Sequence, residues 1–120
     1  MAEHNELGKK GEEIALEFLQ KKGYKILATN WTIGKVEIDI IAQDRDFLVI
    51  VEVKTRQSEY FGEPETFVDK AKQKNLIRAA NGFINQRNNK LETRFDIISI
   101  ILSSEEPIIA HIQDAFYPTL

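Results

Sequence analysis

The chain has 120 residues, 42% of them hydrophobic and 29% charged, which fits one domain over residues 1–120 whose core buries about two-thirds of the unfolded surface. It contains no cysteine, which excludes a disulfide framework, a thiolate metal site and a thiol nucleophile, and suits a reducing cytoplasm. A net charge of −3 lacks the basic excess of an indiscriminate nucleic-acid binder.

From about Asn5 to Lys22 the pattern is helical, with Leu7, Ile14, Ala15, Phe18 and Leu19 forming one apolar stripe. Gly8 and Gly11 lie on or beside it, and each costs roughly 1 kcal/mol against alanine inside a helix. That cost points to a close approach by a neighbouring strand or a ligand. Glu12 sits beside this small face while Glu13 turns towards water, so only Glu12 is a candidate site residue. Its ordinary role is a favourable interaction with the helix's positive end. Gly23 suits the C′ position. Met1 to Glu6 lacks the build of a signal peptide, and no stretch approaches the ~20 apolar residues of a membrane span. A cytoplasmic protein with no membrane partner is expected.

Tyr24 to Trp31 reads as a first strand, and Gly34-Lys35 as the turn into a second, Val36 to Ala42. The polar turn Gln43-Asp44-Arg45-Asp46 leads to a third strand, Phe47 to Lys54. Its uninterrupted run Phe47 to Val51 predicts the most buried strand of the sheet. Glu37 and Asp39 share one face of the second strand; Glu52 and Lys54 share one face of the third. Antiparallel pairing through the turn brings Asp39, Glu52 and Lys54 towards one edge. The ordinary reading of such charges is a solvated face. Here, however, Leu48 and Ile50 point the same way as Glu52 and Lys54, so the charges end a face that begins apolar. Charges in that setting need pairing or an ion.

Thr55 to Thr66 is a polar loop holding Tyr60, Phe61, Gly62 and Pro64, either a plain connector or a substrate-facing element. A second helix runs from about Phe67 to Arg87, with Phe67, Ala71, Ile77, Ala80, Phe83 and Ile84 as its apolar stripe and Asp69 in its first turn. Lys70, Lys72, Lys74 and Arg78 form either a solvated face or a phosphate-facing one. Asn88-Asn89 is a turn, Thr93 to Leu102 a long buried strand, Glu105-Glu106-Pro107 a turn, and Ile108 to Ile112 a last short strand. The order α-β-β-β-α-β-β is that of an α/β protein with a mixed central sheet flanked by helices. Phosphate-loop and dinucleotide glycine patterns are absent. With His4 and His111 as the only histidines, a histidine-rich metal site or a serine–histidine triad is not expected, and His111 reads as a strand residue.

Asp39 followed by Glu52-Val53-Lys54 on the next strand resembles the PD-(D/E)xK nuclease motif, set in the αβββαβ core of restriction-endonuclease-like proteins. The chain is more closely similar to the YraN family of small bacterial proteins, themselves similar to archaeal Holliday junction resolvases. The matching segments are Gly8 to Ala15, Glu37 to Ala42, Val51 to Arg56, Val68 to Lys72 and Arg94 to Ile98, in family order over nearly the whole chain. No proline precedes Asp39, and Val36 separates Gly34-Lys35 from Glu37.

The resemblance implies a metal-dependent endonuclease that hydrolyses DNA phosphodiester bonds, with branched DNA as a candidate substrate and a homodimer as the expected assembly. It implies Mg²⁺ or Mn²⁺ held by Asp39, Glu52 and the Val53 carbonyl, with hard oxygen ligands suiting either ion. Lys54 would orient or deprotonate the attacking water, and Glu12 would give an outer or second-metal contact. Glu37 would support the site or pair with a base, and Arg56 and Lys72 would contact phosphates. The alternative is a non-catalytic module that uses the same fold to bind nucleic acid or protein.

Overall fold

The computed structural model describes residues 2–57, 68–102 and 105–117, the side chains of residues 2–5 excepted. Its elements are α1 (Ala2–Lys21), β1 (Lys25–Ile33), β2 (Val36–Asp44), β3 (Phe47–Arg56), α2 (Lys70–Arg87), β4 (Glu92–Ile101) and β5 (Ile108–Phe116). The strands form one five-stranded sheet in sequence order. β3 and β4 run parallel, joined across α2; every other neighbouring pair is antiparallel. The expected αβββαβ order is therefore present, with β5 added at the edge.

Period-two alternation assigns each strand's apolar residues to two layers. Leu48 and Ile50 of β3 pack with Leu76, Ala80 and Phe83 of α2. Val49 and Val51 pack with Ala15 and Leu19 of α1. The helices thus cover opposite faces, which is why β3 reads as a continuous apolar run. β4 is buried over a longer stretch than β3, against the expectation from the sequence. It pairs on both sides and both its faces are covered, whereas the end of β3 beyond Glu52 is only partly covered.

The helix ends follow local chemistry. α1 closes as expected at Gly23, whose φ is +95°. Tyr24 N–H donates to the Leu19 carbonyl and Gly23 N–H to that of Gln20, the paired bonds of a Schellman turn. α2 begins at Lys70, and Asp69 caps it from outside rather than lying in its first turn: its carboxylate accepts from Lys72 N–H at 2.8 Å. The buried face of α2 is Leu76, Ala79, Ala80 and Phe83, while Ala71 is exposed. The covered arc of α2 therefore begins at Leu76, farther along the helix than its apolar spacing suggests. The β2–β3 turn is Arg45-Asp46 alone, because β2 continues to Asp44. β5 runs on to Phe116. Beyond Gln57, the expected loop with Tyr60, Phe61, Gly62 and Pro64 lies outside the described residues, as does Phe67.

The expected close approach at α1 falls on Gly11. A Cβ placed there would run into the Thr55 side chain, whereas one at Gly8 would meet nothing within 4 Å. Gly11 lets α1 sit on the end of β3, and so sets Glu12 beside the sheet.

Candidate functional site

Asp39 stands at a break in the alternation of β2. Ile38 and Ile41 pack beneath α2, but Ile40 and Ala42 pack beneath α1. Regular pleating would put residues 38 and 40 on one face, so the strand skips a step at Asp39–Ile40. β1 is irregular at the same level. Thr29 lies opposite Ile40 and Trp31 opposite Ile38, and Asn30 between them has φ +48°, a conformation asparagine tolerates better than most residues. The β2–β3 register ends at Ile40 opposite Val51. Just beyond it the Asp39 side chain takes up the next strand's donor, with Oδ2 accepting from Val53 N–H at 2.8 Å.

Glu52 faces α2, 5% exposed, and is met by Lys72 from the first turn of that helix. Lys72 Nζ lies 2.6 Å from Glu52 Oε2. Burial works against the ammonium, but the hydrogen bond and charge of Glu52, with Asp39 and Asp69 behind it, hold its pKa above the ordinary lysine value. Asp39 is pushed up to about 7, by burial first, then by the Glu52 carboxylate and by Glu12; the Val53 N–H and Lys72 pull the other way. At Asp39, burial and the neighbouring carboxylates together outweigh the Val53 N–H and Lys72.

Asp39 borders two clefts among the described residues. The larger, about 430 Å³, lies towards α2 and is lined by Glu37, Asp39, Glu52 and Asp69 as well as Lys35 and Lys72. The smaller, about 210 Å³, lies towards α1 and includes Lys9, Glu12, Glu13, Asn30 and Asp39. Glu12 Oε1 accepts from Asn30 Nδ2 at 2.8 Å, so it is held on the α1 side of Asp39 while Glu52 occupies the α2 side. Glu13, set aside on helical geometry, also reaches the smaller cleft.

The sequence-derived set is thus gathered in part. Asp39 and Glu52 line one space, Val53 supplies its N–H to Asp39, and Glu37 lies at the cleft's exposed rim. Glu12 joins from the opposite side. Lys54 and Arg56 follow Glu52 along β3, partly buried, and neither lines either cleft. Lys72, expected at a phosphate, is instead bound to Glu52. Asn30 was missed. Its signal was a polar residue inside an apolar strand opposite Asp39, readable only once the β1–β2 register is known.

A second charged cluster lies on the α1 face. Arg94 grips Asp96 with two bonds of 2.9 Å and also donates to Asp44 and to the Tyr24 hydroxyl. His111 Nε2 lies 2.8 Å from Asp96 Oδ2, and Asp114 N–H donates to Oδ1. Against the cost of burial, His111, Arg94 and the Asp114 N–H hold the Asp96 carboxyl below the usual carboxylate range. Arg94 is held above its ordinary value. With its charges paired, this cluster fastens β4 to β5 and to the β2–β3 turn, and leaves Asp96 little capacity for a ligand.

The Asp39 site differs in having anionic charge to spare. Among the described residues no three His, Cys, Asp or Glu side chains surround one point. An ion there would take two carboxylates and complete its shell with water and backbone oxygen, the mode Mg²⁺ favours. The residues fit such an ion: Asp39 and Glu52 are hard oxygen donors, and a lysine ammonium already stands against one of them as a cation.

Comparison with known proteins gives relatives that match almost end to end. A UPF0102 protein of Flavobacterium psychrophilum is 56% identical over 117 residues, covering 98% of each chain. One from Flavobacterium johnsoniae is 50% identical over 98% of each. One from Bacteroides thetaiotaomicron is 47% identical over 100% of this chain and 99% of its own. The family model described as "Uncharacterised protein family UPF0102" matches residues 11–100, from the glycine under Thr55 through β4, and the chain belongs to that family.

Proposed function

We propose that this protein is a divalent-metal-dependent endonuclease hydrolysing DNA phosphodiester bonds, with branched DNA as its candidate substrate, on a restriction-endonuclease-like fold. The observation that supports it most is Asp39: a part-buried carboxyl pushed up to about 7 beside Glu52, at the wall of an open cleft. A carboxyl shifted by burial together with a specific charged neighbour, at the wall of a cleft, is a functional-site candidate on physical grounds.

In this reading Asp39, Glu52 and the Val53 carbonyl would hold Mg²⁺ or Mn²⁺. Bound there, the ion would polarise the phosphoryl group and acidify a water. Lys54 would orient the attacking water and take up its proton or offset the charge that develops. Glu12, fixed by Asn30, stands as an outer contact beyond Asp39. Arg56 and Lys72 hold flanking phosphates.

A second reading, a non-catalytic module binding nucleic acid or protein, is favoured by the Lys72–Glu52 contact, which satisfies Glu52 without an ion. One assay separates the two. Purified protein is incubated with Mg²⁺ or Mn²⁺ and four-way junction, flap, single-stranded or duplex DNA, alongside Asp39→Ala, Glu52→Ala and Lys54→Ala. Cleavage by the wild type that each substitution abolishes is the expected result. Metal-dependent binding without cleavage would favour the module, and cleavage surviving all three substitutions would refute the site.

A further inference from the structure

The ammonium of Lys72 holds the position in which a cation would serve the acidic site. It lies 2.6 Å from Glu52 Oε2 and is one of the groups that lower Asp39. The two partners differ in freedom. Glu52 is 6% exposed along its side chain and sits in the middle of the sheet, whereas Lys72 is 49% exposed on the first turn of α2. Its backbone is fixed, because Lys72 N–H donates to the capping carboxylate of Asp69. Its stem has room to move, because it borders a cleft of about 430 Å³. Lysine is a compact charge on a flexible four-carbon stem and can exchange partners without moving its helix.

We propose that Lys72 is an exchangeable counterion. It neutralises Glu52 while the site holds no divalent ion, and the entering ion releases it to grip a phosphate of the bound DNA backbone. This rests on the metal-site reading above and adds to it an order of events. Ion and backbone then assist each other: an ion that frees Lys72 strengthens phosphate binding, and a phosphate that captures Lys72 removes the ion's competitor. Linkage requires the two effects to be equal. Three features favour exchange over a permanent bridge. The lysine is half exposed, a divalent ion brings twice its charge, and the four carboxylates lining the cleft (Glu37, Asp39, Glu52 and Asp69) outnumber its two lysines.

The test is calorimetric Mn²⁺ titration without DNA, on wild type, Lys72→Gln and Lys72→Arg, each checked for folding by circular dichroism. Lys72→Gln removes the competing charge and should bind Mn²⁺ roughly five- to tenfold more tightly, the scale of a partly buried ion pair. Lys72→Arg keeps a cation beside Glu52 and should bind at or below wild-type affinity. In Ca²⁺, the affinity of Lys72→Gln for a four-way DNA junction should fall, and Ca²⁺ should strengthen its DNA binding less than it does for the wild type. Wild type that binds Mn²⁺ while Lys72→Gln binds no tighter would overturn the exchange and leave the metal site standing. So would Lys72→Arg behaving like Lys72→Gln, or unchanged DNA affinity in a variant that gained ion affinity. Absence of Mn²⁺ binding in all three proteins would instead refute the metal site itself.

Discussion

Replacing Asp39 by asparagine removes charge where the fold tolerates it least, yet keeps an oxygen that can accept from Val53 N–H. The carboxyl moves from its ordinary 3.8 to about 7, a difference worth roughly 4 kcal/mol. Because the folded protein holds this proton more tightly than the unfolded chain, the wild type loses stability as pH rises from about 4 to about 7, at up to ~1.4 kcal/mol per pH unit. The amide that replaces the carboxyl has no such proton. Urea denaturation of wild type and Asp39→Asn in a chelator, at pH 5, 6, 7 and 8, should therefore show a difference that widens with pH. At pH 8 the variant should be more stable by about 2–4 kcal/mol, while near pH 4 the two should converge. Comparing the two proteins cancels the histidines, which both contain. Asp44 and Asp96 are held below their ordinary values, so their contributions vary only in acid below this window. If the proposed ion binds, Mn²⁺ at pH 8 should raise the wild type's midpoint and leave the variant's unchanged. A difference independent of pH, or a variant less stable at pH 8, would refute the account of Asp39 as a crowded, burial-strained carboxylate.

Two further predictions concern the frame. Gly11→Ala should destabilise by about 1–2 kcal/mol despite alanine's better helix propensity, because its Cβ meets Thr55. Gly8→Ala, with open space around it, should be neutral or stabilising by up to ~1 kcal/mol, and chemical denaturation of the pair distinguishes contact from propensity. Asp96→Ala should cost about 3–5 kcal/mol, since it strips Arg94 of its two-pronged partner and His111 of its acceptor. The wild-type contribution of Asp96 is complete above its unfolded pKa and disappears as pH falls through its depressed folded value. The variant's stability should therefore change less with pH below about 4.

The sequence by itself determined the element order, because its apolar spacing changes period at each boundary and Gly23, Asn88 and the strand turns punctuate it. It also marked Asp39 and Glu52 as out of place, since charged residues inside apolar strands stand out against period-two alternation. What it misjudged depended on packing. Ala71 fits a helical stripe but faces water, and Leu76 does the burying, because the sheet's position decides which arc of α2 is covered. Alternation counted from Glu37 cannot foresee the skipped step at Asp39, which lies across from Asn30, where the β1 backbone turns to positive φ. Nor can local spacing reveal that Lys72 crosses from α2 to Glu52, that Asn30 ties down Glu12, or that Arg94 reaches Asp44 and the Tyr24 hydroxyl. Those pairings join residues far apart in the chain, and their distances are set only when the helices dock on opposite faces of the sheet.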